Sequence, residues 1–129
     1  MPPIPYEFRR SGNYLGECAG PNIVNEEIIV ASGQGVLFPG QILGRITASK
    51  KFAAHDPAAS DGSQNVAGIL FHKVDATSAD VTTVATRRGP ATINGNDLIH
   101  KGSLNATQQA SAIEGLRGLG LAVLPQHAA

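Results

Sequence analysis

The chain has no tryptophan and a single cysteine, and only six of its 129 residues are Phe or Tyr. Cys18 has no partner within the chain, so an internal disulfide is excluded and a reducing compartment such as a cytoplasm is expected. Charge of one sign is not in excess: ten Lys and Arg balance ten Asp and Glu. No long-range field would draw such a chain to nucleic acid or to an anionic membrane. No apolar run approaches the roughly 20 residues that a membrane-spanning helix needs. The first residues, Met-Pro-Pro-Ile-Pro-Tyr-Glu-Phe-Arg-Arg, form no apolar h-region, so no secretory signal is expected. What is plentiful is turn chemistry, with 15 Gly and 8 Pro. At this length, that composition fits one mainly β domain with a modest core.

The stretch from Glu27 to Thr47 organises the rest. Ile28, Ile29 and Val30 are a β-branched run that favours a strand. Ser32, Gly33 and Gly35 break it, and Val36, Leu37 and Phe38 form a second apolar piece. Pro39-Gly40 is a strong turn dipeptide, after which Ile42 to Thr47 resumes as a strand. Gly44 within it points to a bulge or a close backbone approach. The result is a ribbon bent at two glycine corners.

Residues 1–21 read differently. Pro2, Pro3 and Pro5 oppose helix and push their neighbours toward extended backbone. In an extended segment Tyr6 and Phe8 share one side and Glu7 takes the other. We therefore expect a flexible amino-terminal arm over residues 1–21 and a folded domain over residues 22–129. The aromatic content of the arm, with the pair Tyr14-Leu15 further on, suits docking better than solvation.

Beyond the ribbon, Asn65 to Lys73 is the most continuous apolar run and suits a strand buried on both faces. Asp75 to Asp80 is a turn cluster, and Val81 to Arg88 reads as a strand. Ala91 to Ile93 followed by Asn94-Gly95 predicts a short strand ending in a hairpin-type turn. One short helix is expected near the carboxyl end. Asn105 and Gln108 make a capping-box pair, and Ala106, Ala110, Ile113 and Leu116 recur at helical spacing. Gly118 or Gly120 would end it, and Leu121 to Leu124 would return as a strand.

No group stands out as chemistry. Cys18 has no His close in sequence to activate it. His55-Asp56 with Asp61, and His72 with Asp75, lack metal-ligand spacing and abut turn residues, where Asp bonds its own backbone. Gly33-x-Gly35 lacks the third glycine of a dinucleotide loop and opens no helix. The doublets Arg9-Arg10, Lys50-Lys51 and Arg87-Arg88 are separate, unlike a nucleic-acid-binding stripe. No catalytic, cofactor or metal residue is therefore assigned.

The ordered set of motifs resembles the lambda-type head decoration proteins of tailed bacteriophages. It comprises Glu27-Ile28-Ile29-Val30, Pro39-Gly40-Gln41-Ile42-Leu43-Gly44-Arg45-Ile46, Lys51-Phe52, Asp61 to Gln64, Val66 to Leu70 and Val74 to Thr77 leading into Val81 to Val84. The helix and the strand Leu121 to Leu124 complete it. The likeness spans Glu17 to Leu124, and the preceding residues match in position only. The resemblance implies a β-clip fold, mainly β with one short carboxyl-terminal helix, in which a sharply bent two-stranded ribbon builds an incomplete barrel. It implies a homotrimer at local three-fold sites on the outer surface of the virion, made in the host cytoplasm. The partner would be the major capsid protein, with no direct nucleic-acid or membrane contact, no cofactor and no enzymatic step. Within the arm, Pro5, Tyr6, Glu7 and Phe8 are the expected capsid-binding residues. A small-molecule or sugar-binding β-clip module is the alternative, although the chain offers few aromatics to line a pocket. A lipoyl- or biotin-type carrier is a third class, but Lys50-Lys51 lacks the usual Met or Asp neighbour.

Overall fold

A ribbon of two antiparallel segments, bent sharply part-way, dominates the architecture. The computed structural model describes residues 12, 14–18, 20, 24–100 and 104–124. β2 (Asn25–Val30) pairs antiparallel with β8 (Val81–Thr86), with Asn25 opposite Thr86 and Val30 opposite Val81. Past the bend the same two segments pair again as β3 (Gly35–Leu37) and β7 (Val74–Ala76). Gly33 and Gly35 take φ of 88° and 73° at the corner, the left-handed region that side-chain-bearing residues avoid. There the amides of Gly33 and Gln34 both donate to the Ala76 carbonyl, at 2.7 and 3.1 Å. Asp80 fastens the corner from outside, accepting from the Ser32 amide and pairing with Lys51 at 2.6 Å. The second expected corner, at Pro39-Gly40, is also present, with Gly40 at φ 98°.

β4 (Ile42–Arg45), β5 (Phe52–Ala54) and β6 (Val66–Leu70) join β2 and β8 in a closed barrel of order β2-β5-β4-β6-β8. The barrel is thus closed where an incomplete one was expected, although its β2–β5 seam is a single pair, Val30 with Phe52. Gly44 meets both halves of its expectation. The β4–β6 register shifts between Leu43 and Gly44, and a Cβ on Gly44 would run into the Ser63 backbone.

Two cores lie back to back across β4 and β6. Ile28, Val30, Leu43, Phe52, Leu70 and Ala85 fill the barrel, with Leu37, Val74 and Ala76 from the ribbon in the same cluster. Ile42 and Ile69, each next in sequence to a barrel residue, point the other way into a second cluster. β6 is therefore buried on both faces, as its apolar run predicts. Each such Leu or Ile contributes about 1.5–3 kcal/mol by leaving water.

The second core is roofed by a three-stranded sheet and the helix. β1 (Leu15–Cys18) and β10 (Leu121–Leu124) flank β9 (Ala91–Asn94), β1 antiparallel and β10 parallel. The expected hairpin after β9 does not form. A 3-10 turn at Gly95–Asp97 leads instead toward α1 (Ala106–Gly118), because parallel pairing of β9 with β10 requires a crossover. The capping box of Asn105 and Gln108 is present, and Gly120 at φ 89° follows the carboxyl cap Leu119. The buried face of α1 is Ala112 and Leu116, and the expected Ala106 and Ala110 are exposed. Gly115 explains the offset: its missing side chain lets the helix approach Val66, whose Cβ would lie 3.1 Å from an added Cβ. Among the described residues no helix is long and apolar enough to cross a membrane.

Candidate functional site

The point where the amino-terminal segment enters the fold is built more firmly than an arm extending to residue 21 implies. Gly12 donates its amide to the Phe71 carbonyl at 2.9 Å, and a Cβ there would lie 2.6 Å from the Phe71 ring. At φ 69° this position also favours glycine. Two residues on, Tyr14 is wholly buried in the second core and meets Phe71 edge-on, ring centroids 6.5 Å apart. β1 then follows as an outer strand of the three-stranded sheet. Tyr14 to Cys18 thus belong to the folded domain, not to the arm assigned to residues 1–21. Pro5, Tyr6, Glu7 and Phe8 lie outside the described residues.

Tyr14 is held by a directed hydrogen-bond chain. The Thr86 hydroxyl donates to Asn25 Oδ1 at 2.7 Å. Its one proton being used, it accepts from the Tyr14 hydroxyl at 2.6 Å. Burial pushes the phenol well above its ordinary pKa, with the bonds to Thr86 partly offsetting this. The entry point is therefore joined to β8 and, through Asn25, to β2.

The residues weighed as chemistry are dispersed. Cys18 is half-buried and packs against the second core. Asp61 accepts from the amide and hydroxyl of Ser63, and Asp75 does the same with Thr77. These bonds hold both carboxyls below the usual range. Both are turn-forming aspartates. His72 is exposed and stacks edge-on against Phe71, and His55 is buried beside the Gln64 carbonyl. Among the described residues, no three His, Cys, Asp or Glu gather where a metal ion could be held.

The basic doublets are likewise tied into the fold. Lys51 pairs with Asp80, while Glu26 receives Arg87 at 2.7 Å and Arg88 at 2.6 Å. Arg87 also donates to the Ala67 carbonyl at 3.1 Å, and its guanidinium lies 5.0 Å from the Phe52 ring centroid. Arg9-Arg10 lies outside the described residues.

Against this arrangement, the family model for the bacteriophage lambda head decoration protein D matches residues 5–121. The chain belongs to that family. The match takes in the Tyr6-Glu7-Phe8 segment, whereas the likeness by motif began at Glu17. A comparison with curated proteins found no match. Sequence reasoning missed two features of this decoration protein. Tyr14 was read as one of the arm's docking aromatics, whereas its burial depends on Thr86 of β8, 72 residues away. His100 carried no local signal beyond its place after the apolar pair Leu98-Ile99.

Proposed function

We propose that this protein binds the outer surface of its phage capsid as a homotrimer at local three-fold sites and reinforces the expanded shell against the pressure of packaged DNA. The family match over residues 5–121 carries this reading. The partner is the major capsid protein, and the role is mechanical, with no catalytic residue.

The arm is the binding device in this account. Tyr6-Glu7-Phe8 adds as a strand to an exposed sheet edge of the capsid protein, with Tyr6 and Phe8 entering pockets on one side. Pro5 stands at the start of that strand, where a missing N–H is tolerated. Ordering the segment costs roughly 1–2 kcal/mol per residue, so one arm binds weakly. Three arms on one trimer compensate through high effective concentration. The buried root at Tyr14 supports the reading, because load on an arm passes directly into the barrel. A cyclic trimer also matches a three-fold site without symmetry mismatch.

The test mixes the purified protein with expanded, undecorated capsids and follows sedimentation and the capsid's resistance to heating. The protein should pellet with capsids in multiples of three per three-fold site and raise their disruption temperature. Protein left wholly in the supernatant would refute the reading.

A further inference from the structure

Two histidines flank the first residue of β4. His55 follows β5 and is only 5 % exposed. Its Nε2 lies 3.0 Å from the Gln64 carbonyl. A carbonyl only accepts, so in the neutral ring Nε2 carries the hydrogen and the lone pair sits on Nδ1. Among the described residues that buried Nδ1 has no hydrogen-bond partner, and neither has the buried Nδ1 of half-buried His100. Charge on His55 opposes charge on His100.

The backbone links the same two places. Ile42 donates its amide to the Ile99 carbonyl at 3.0 Å and accepts the His55 amide at 3.0 Å. Ile99 in turn donates to the Gly40 carbonyl at 2.8 Å. Ile42 is thus held between the histidine-bearing segments. One of these, Leu98 to His100, leads from β9 toward α1 and buries Leu98 and Ile99.

We propose that His55 and His100 form an acid-operated latch: neutral, they keep the Leu98–His100 segment docked on β4, and when both are protonated the segment releases.

A proton from solvent on His55 Nδ1 turns an acceptor into a donor that meets no acceptor among the described residues, and a proton on His100 adds a second charge beside it. The surrounding charges grade the two steps. His100 lines a cavity of about 530 Å³ with the carboxylates of Asp56 and Asp61, and Asp56 also attracts charge on His55. Asp61 already accepts two hydrogen bonds from Ser63. On its other side His55 faces a cleft of about 280 Å³ toward α1, lined by Pro57, Asn65, Thr107 and Ser111 among others, which among the described residues brings no second titratable group. Burial is the largest influence on both rings and holds both below the usual imidazole range. The second proton meets burial and the first charge together, and release of the less buried ring, His100, relieves both.

The sign follows from the lowered values. Both rings are depressed relative to an unfolded imidazole near 6.5, so their contribution is complete above about pH 6.5 and is lost as pH falls below it. The loss therefore begins well above the range in which carboxylates titrate, near pH 4.

The experiment is amide hydrogen exchange on the full chain from pH 7 to pH 5, corrected for intrinsic exchange rates. The amides of Ile42 and Ile99 should lose protection about tenfold or more, because opening takes up protons. The amides of Ala31 and Phe71, bonded to the Phe52 and Val84 carbonyls, should keep theirs. His100→Gln, at the half-buried position, should remove the pH dependence, and H55Q combined with it should add nothing further. If H55Q fails to fold, wild type and H100Q decide alone. Unchanged protection of Ile42 and Ile99 relative to Ala31 would overturn the proposal, as would a loss of protection that persists in H100Q.

Discussion

The Tyr14 hydroxyl lies 2.6 Å from the Thr86 hydroxyl, joining the entry of the chain to the far strand of the ribbon. Tyr14→Phe keeps the ring but leaves Thr86 without its donor, and should cost about 1–2 kcal/mol in a denaturant titration. Tyr14→Ala removes the ring as well and should cost about 3–5 kcal/mol. The same residue sets an alkaline limit. Its folded pKa is raised above the unfolded value near 10, so its contribution is complete below pH 10 and is lost as pH rises past it. Tyrosine absorbance should show Tyr14 ionising only together with unfolding.

At Gly44 the barrel wall meets the Ser63 backbone closely. A Cβ there would collide with the Ser63 backbone, which cannot rotate aside as a side chain would. Gly44→Ala should destabilise the fold by about 1–3 kcal/mol, by overpacking. Gly118, where an added Cβ meets nothing, is the control. Gly118→Ala should leave the denaturation midpoint nearly unchanged or raise it.

Arg87 and Arg88 share Glu26 but differ in what else they do. Arg87→Ala loses the Ala67 carbonyl bond and the Phe52 contact as well as the ion pair, and should cost about 1–2 kcal/mol. Arg88, whose side chain is half exposed, should change stability by no more than about 0.5 kcal/mol on substitution by Ala. The two arginines, Arg87 foremost, hold the Glu26 carboxyl below its usual range. That contribution is present above the ordinary Glu value near 4.3 and is lost as pH falls below it, and solvent screening keeps it small. Thermal melts of both variants at pH 7 and pH 4 check the ordering: R87A should lose more than R88A at each pH.

Features legible in the sequence were those set by neighbours in the chain. The Asn105–Gln108 box, the Gly33–Gly35 corner and the Gly44 bulge each depend on local backbone geometry. β6 was legible because burial on both faces leaves a continuous apolar run. The rest depends on partners distant in sequence. β1 contains Gly16 and Glu17 and lacks alternation, so only its pairing with β9 identifies it as a strand. β7 lies at the start of a turn cluster and is a strand because β3 pairs with it. The buried face of α1 is set by Val66 against Gly115 rather than by the spacing of its alanines. The arm root follows the same rule: Tyr14 belongs to the domain because Thr86 and Phe71 are there to receive it.

Removal of the arm tests directly whether it attaches the protein to the capsid. Deleting Met1 to Arg10 leaves Gly12 and Tyr14 in place, so the domain should fold and assemble as the full chain does. Light scattering at micromolar concentration reports assembly, and sedimentation with expanded capsids reports binding. Intact trimers that no longer pellet with capsids are the expected result. Truncated protein that decorates capsids as the full chain does would rule out the arm as the binding device.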